Sequence, residues 1–253
     1  MNLAIVLFLA FFNFVFAQND SQFYNLIIKG KDLVKDGYAT FNKALLMEAR
    51  SLFERAVSIK PESPLAFYHL AYSEYCLLIY ALNFDDELFN KLIDIAIRHA
   101  EESMNLNDKW SEPPALLSSL YGLKIAKNWI QGPFLGPKSS RLIEVAIILD
   151  SLNPRAWLVR GISKFNTPSI FGGDIDEAIE NLKRAIDLFE RNNIADPLGP
   201  DWGYIDALVW LGKCYERKKQ FEKAAEFYKR ALEVEPRFGW AKRELSKLTG
   251  KTK

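Results

Sequence analysis

The chain has 253 residues, 49% hydrophobic and 26% charged, so it can bury a core of its own and is neither a disordered segment nor a protein of many membrane spans. Its 33 Lys and Arg balance 32 Asp and Glu to a net charge of +1, which offers no long-range field to a polyanion and argues against nucleic acid as a partner. The 13 glycines and 11 prolines gather in a few places and leave long stretches free for helices. The first element, residues 1–17, carries no charged side chain and ends in Val15-Phe16-Ala17 before Gln18-Asn19-Asp20. That pattern predicts a signal peptide cut after Ala17, and a mature domain over 18–253 that is periplasmic or secreted. The apolar run of about 15 residues is shorter than the ~20 that span a bilayer, so no transmembrane helix is expected in the mature protein. No Lys or Arg precedes the run, which keeps a retained N-terminal anchor as the other reading. Cys76 and Cys214 are too few for a disulfide framework and sit in amphipathic stretches, which predicts buried free thiols.

Five helical hairpins are expected in chain order. The first has Gly37, Ala49, Phe53, Ala56 and Pro61 as its small, aromatic and breaking positions. The second begins with Phe67 and Leu70-Ala71 and closes with Ala96, Ala100 and Met104. A third runs from Ala115 and Gly122 to Ala146 and Asn153-Pro154, and a fourth opens with Trp157 and Gly161 and continues through Ala178, Leu182 and Ala185. The fifth, Ile205 to Pro236, is the clearest, with Leu208, Leu211-Gly212, Tyr215, Ala224, Tyr228, Ala231 and Pro236. Gly212 and Ala224 lack bulk where two antiparallel helices cross closely, Tyr215 and Tyr228 fill the space beside them, and Pro236 ends the second helix.

That spacing resembles the tetratricopeptide (TPR) pattern W-x2-L-G-x2-Y…A-x3-F…P, with Leu for the first Trp and Tyr for Phe. The resemblance covers roughly residues 20–248. It implies an all-α fold, a right-handed superhelix of about five irregular hairpins plus a C-terminal capping helix. Three segments interrupt the pattern: Asn128–Lys138, Asn166–Gly173 and Arg191–Gly203. Loops of this length, rich in Gly, Pro and aromatics, are expected to be packed functional or closing segments.

Catalytic motifs fail. Gly132-Pro-Phe-Leu-Gly136-Pro137-Lys138-Ser139 has three residues between its glycines where a phosphate loop has four, and Pro137 separates the second glycine from Lys138. His69 and His99 lie in separate helical stretches without a Cys/His pair, and no G-x-S-x-G occurs. No catalytic residue, metal or cofactor is expected. Pro168, Phe171, Gly172, Gly173 and Asp174 read as a structural turn in which Asp174 caps the next helix with Glu177 three residues on. The same Pro-x-x-Phe-Gly-Gly-Asp run resembles periplasmic T-component proteins of TRAP transporters, which implies a role beside a substrate-binding protein.

The inner stripe of the first helices is apolar: Val34, Tyr38, Phe41; Leu65, Tyr68, Tyr72, Tyr75; Leu116, Leu123, Ala126; Leu158, Ile162, Phe165. Tyr38, Phe41, Tyr68, Tyr72, Tyr75, Leu123, Trp129 and Phe165 are therefore the expected contacts for a ligand or partner in a concave groove. The alternative is that the inserted loops fold in and cover this face. The function expected is an exported, non-catalytic binding protein. It takes a small apolar or amphipathic ligand, as the transporter-component resemblance implies, or serves as a scaffold for a partner peptide or helix in envelope assembly.

Overall fold

A computed structural model describes residues 3–191 and 196–249, with side chains from Asn19 to Leu248, so the apolar start and its Ala17 junction lie outside the described side chains. Among the described residues the chain forms eleven α-helices and no strand. Ten of them pair as hairpins: α1 (Leu3–Thr40) with α2 (Lys43–Ile59), α3 (Pro64–Phe84) with α4 (Asp86–Leu106), α5 (Glu112–Lys127) with α6 (Gly132–Leu149), α7 (Pro154–Asn166) with α8 (Ile175–Arg191), and α9 (Tyr204–Arg217) with α10 (Phe221–Val234). Helix α11 (Gly239–Thr249) caps the stack.

Local chemistry sets the boundaries. Asn42, Ser63, Asp85 and Asn153 each cap a helix by accepting a backbone N–H from the first turn, and Pro64 and Pro154 follow two of them as first helical residues whose missing N–H leaves no bond unmade. At the fifth hairpin a Cβ on Gly212 would lie 2.4 Å from the Tyr228 ring, so the glycine is what lets α9 and α10 cross. In the fourth, Gly161 meets Leu182 in the same way.

Three expectations need correction. In the first hairpin Gly37 does stand at a close crossing, a Cβ there meeting Leu46 at 2.9 Å, but it is Gly30 that lies under the aromatic ring, a Cβ there meeting Phe53 at 2.5 Å. The cause is Asn42, whose cap starts α2 at Lys43 and slides the crossing about one turn farther from the tip on each helix than in α9–α10. A Cβ on Gly122 would meet nothing within 4 Å, and the α5–α6 crossing instead uses Ser118 and Ser139, whose buried hydroxyls are 2.8 Å apart. The segment Asn128–Lys138 is also not a long loop. A 3-10 turn at Trp129–Gln131 leads straight into α6: Pro133 falls in its first turn, where a missing N–H matters least, while Pro137 lies inside the helix and leaves the Pro133 carbonyl without its intrahelical donor.

The right-handed superhelix closes on itself. The end of α1 reaches the last hairpin: Tyr38 OH donates to Asp206 Oδ1 at 2.6 Å, Arg237 pairs with Asp36 at 2.8 Å, and Phe41 lies against Gly239. One core cluster fills the first two hairpins and α5, another fills the last two with α11, and Tyr38 packs against both. Cys76 and Cys214 are buried free thiols in different clusters.

Candidate functional site

The concave face is filled. The segment from Asp196 to Gly203 crosses it as a strap, held by Lys31 Nζ, which donates to the carbonyls of Pro197 and Gly199 at 2.7 Å each. His69 Nε2 lies 2.7 Å from the Leu198 carbonyl, so the neutral ring donates there. Trp202 stacks on Tyr72 with ring centres 4.8 Å apart, and its indole N–H donates to Tyr68 OH at 2.9 Å. Gly203, at φ 109°, ends the strap where a Cβ would lie 2.7 Å from Phe189 and 3.0 Å from Leu158.

Beneath the strap a buried network joins three hairpins. Arg155 holds Glu112 in a bidentate pair, Nε to Oε2 and Nη2 to Oε1 at 2.7 Å each, and reaches the Trp202 carbonyl at 3.2 Å. Tyr68 OH donates to Glu112 Oε2 at 3.2 Å. Burial holds His69 neutral by pushing its pKa down to about 4, and the charges of Lys31 and Arg155 act in the same direction. Burial pushes Asp206 up to about 6, against the lowering effect of its hydrogen bond from Tyr38.

The expected groove residues thus fall in several environments. Tyr68, Tyr72 and Phe165 are buried, the last between Trp210 and the guanidinium of Arg217, which stands 3.6 Å over its ring. Tyr38, Phe41, Tyr75 and Leu123 are partly covered. Trp129 is nowhere in the concave face: it projects from the α5–α6 tip, 80% exposed. An open aromatic groove is therefore corrected to a packed interior. The reason is Trp202, whose indole occupies the face that Tyr72 and Tyr75 present.

The Pro168–Asp174 turn is a built cap. Asp174 Oδ1 accepts from the N–H groups of Asp176 and Glu177 at 2.7 and 2.9 Å, and these bonds hold its carboxyl below the usual range. Gly172 has φ 88°, and a Cβ on Gly173 would sit 1.8 Å from the Thr167 carbonyl oxygen, so neither position takes a side chain without strain.

An open cleft of about 740 Å³ lies away from the strap, among α4, α5 and α6, walled by Met104, Pro114, Leu117, Tyr121, Leu142 and Val145. Glu101, Asn105 and Asp108 line the α4 side, where Glu101 accepts from Tyr121 OH at 3.4 Å. Lys138 and Arg141 line the α6 side and are exposed, and neither side chain has a hydrogen-bond or ion-pair partner among the described residues. Sequence reading missed this cleft. The i, i+3, i+7 spacing of Lys138, Arg141 and Val145 on one face of α6 is the signal it left. Among the described residues no group of His, Cys, Asp and Glu is placed to hold a metal ion, and no helix is long and apolar enough to cross a membrane.

Paired helices stacked in this way, with the glycine-and-ring crossing repeated, define a tetratricopeptide-like protein. The tetratricopeptide repeat family profile matches residues 205–238. No curated protein matches the chain. Among solved structures it is similar to the HusA haemophore from Porphyromonas gingivalis, at 21% identity and a TM-score of 0.60, over 74% of this chain and 93% of that one. It is also similar to TTC0263, a thermophilic TPR protein of Thermus thermophilus, at 18% identity and a TM-score of 0.61, over 87% and 98%. Human IFIT1, solved as a dimer with m7Gppp-AAAA, matches at 18% identity and a TM-score of 0.61 over 88% of this chain, which spans 46% of IFIT1. At these identities the likeness is one of fold.

Proposed function

We propose that the chain is an exported, non-catalytic binding protein that holds a small amphipathic ligand in the α4–α5–α6 cleft. The observation that carries this reading is the pairing of apolar walls with two unpartnered cations, Lys138 and Arg141, on one side of a cleft large enough for a drug-sized molecule. Such a site suits a flat or chain-like apolar body with a carboxylate, since the carboxylate gains a charge-assisted contact that neither cation now makes. The likeness to a haemophore supports the ligand class, porphyrin being one such molecule. The concave stripe serves this function as the rigid interior that fixes the hairpins, not as the ligand surface. The Pro168–Asp174 turn uses its polar groups within its own hairpin, so the transporter role its sequence implies has only Ile170 and Phe171 to offer a partner there.

The test is titration of the purified chain with hemin and, separately, with oleate, followed by tryptophan quenching and native mass spectrometry. Binding of either is expected. Arg141→Glu should weaken it about tenfold or more, and Val145→Trp should block it, with melting unchanged because both residues are exposed. Binding unaffected by both substitutions, or lost on Tyr72→Ser alone, removes the cleft from the reading. Export is tested by N-terminal sequencing from the native host, which should begin near Gln18.

A further inference from the structure

Three consecutive hairpin tips hold large apolar side chains out in water. Phe84 at the α3–α4 tip, Trp129, Ile130 and Phe134 at α5–α6, and Ile170 and Phe171 at α7–α8 are between 61% and 83% exposed. The tips share one edge of the superhelix because each hairpin repeats the same up-and-down order of helices, and ion pairs join neighbouring tips on both sides of the middle: Lys43 with Asp85 at 2.7 Å, Lys127 with Asp86, and Lys218 with Asp176.

The exposure is built in. Trp129 and Ile130 stand on a 3-10 turn whose start is capped by Asn128 Oδ1, which accepts from the Ile130 N–H. Ile170 and Phe171 stand on another, closed by the left-handed Gly172 and by Lys164 Nζ donating to the Gly172 carbonyl at 3.1 Å. A chain that only tolerated these residues would not fix both pairs outward by backbone geometry.

The charge around them is arranged to match. Asp85, Asp86, Asp176 and Glu177, which flank the apolar tips, are each paired with a lysine, and Glu87 beside them is exposed without an ion pair among the described residues. The ammonium group of Lys219, at the α9–α10 tip, has no partner among the described residues, and its side chain is exposed. Apolar prongs among mostly neutralised carboxylates, with one free lysine beside them, suit a surface that is greasy beneath and charged on top.

We propose that this edge docks the protein on a lipid bilayer, the six side chains entering separately at headgroup depth with Lys219 against lipid phosphate. Separate prongs favour lipid over a folded partner. The apolar residues are divided among three tips with ion pairs between them, so they offer no continuous face for shape-matched packing, whereas a fluid interface fits each prong independently, and Trp in particular settles at that depth. Helix α1 runs toward its tip at Thr40, so its start lies at the opposite edge and takes no part in this surface.

The test uses the full chain with an environment-sensitive dye on Ser169→Cys at the tip edge, and on Glu62→Cys at the α2–α3 turn on the other edge. Both sites are exposed, and the native Cys76 and Cys214 are buried and will not take the label. With vesicles of mixed phosphatidylcholine and phosphatidylglycerol, the Ser169-site dye should shift to the blue and brighten about threefold or more, while the Glu62-site dye stays unchanged. Adding Trp129→Ser and Ile130→Ser should cut the response about tenfold at the same lipid concentration and leave the melting temperature alone. A tip dye that remains in water while the protein sediments with the vesicles overturns the proposal. So does a blue shift that grows with protein concentration in the absence of lipid, which would make the edge a contact between copies.

Discussion

His69 and Asp206 set opposite pH dependences on the closure of the superhelix, and removing either should expose the other. Burial keeps the His69 pKa at about 4 against an ordinary 6.5. Between those values the unfolded chain binds the proton and the folded one does not, so the His69 contribution rises with pH across the window and is complete above 6.5. Asp206 moves from 3.8 to about 6. There the folded state holds the proton that the unfolded state has released, so its contribution is present at low pH and is lost as pH rises toward 6. Each shift corresponds to about 3 kcal/mol at about 1.36 kcal/mol per unit, an upper value for Asp206, which is only half-buried. The two nearly cancel in the native chain. His69→Gln keeps a donor for the Leu198 carbonyl but cannot titrate, so its stability relative to wild type should fall by up to about 3 kcal/mol as pH rises from about 4 to 6. Asp206→Asn keeps an acceptor for Tyr38, and its relative stability should rise by a similar amount over the same range. Urea unfolding at several pH values, read as differences from wild type, cancels the acid-sensitive carboxylates common to all variants. Difference slopes of the same sign for the two substitutions would refute the reasoning.

Arg155→Ala should destabilise by about 3–5 kcal/mol in urea unfolding, because it leaves Glu112 buried without its bidentate partner. Adding Glu112→Gln should recover part of that loss. Gly122→Ala should raise stability by about 0.5–1 kcal/mol, since the new methyl meets open space inside a helix, whereas Gly30→Ala should lower it by about 1–3 kcal/mol through the Phe53 ring.

The fold is most legible where one short window contains both partners of a contact. Gly212 and Tyr228 are neighbours across one tip, so the spacing within residues 205–236 carries the crossing itself. Gly37 is a close-packed glycine, against Leu46, but not the one under the ring, because the pattern is transferred at fixed spacing from α9–α10 while the Asn42 cap moves the start of α2 and with it the glycine that the ring covers. Pro133 reads as loop for a related reason. Proline opposes a helix interior but not a helix start, and which of these applies depends on a boundary that local sequence marks poorly.

The site is harder because its contacts are distant in the chain. Trp202 bonds Tyr68 across 134 positions and Leu198 meets His69 across 129, and no periodicity links such pairs. Tyr68, Tyr72 and Tyr75 do share one covered helix face, but an apolar face records only that something covers it. Ligand, partner and the chain's own strap leave the same pattern. Exposure at the tips inverts the problem. Apolar residues are taken to be inside, which puts Trp129 in the groove and Phe171 in the turn, and only the outward geometry of the two 3-10 turns separates a side chain held out from one packed away. Binary patterning therefore recovers the scaffold and is blind to the surfaces through which a scaffold acts, since those are the places where apolar side chains depart from the pattern.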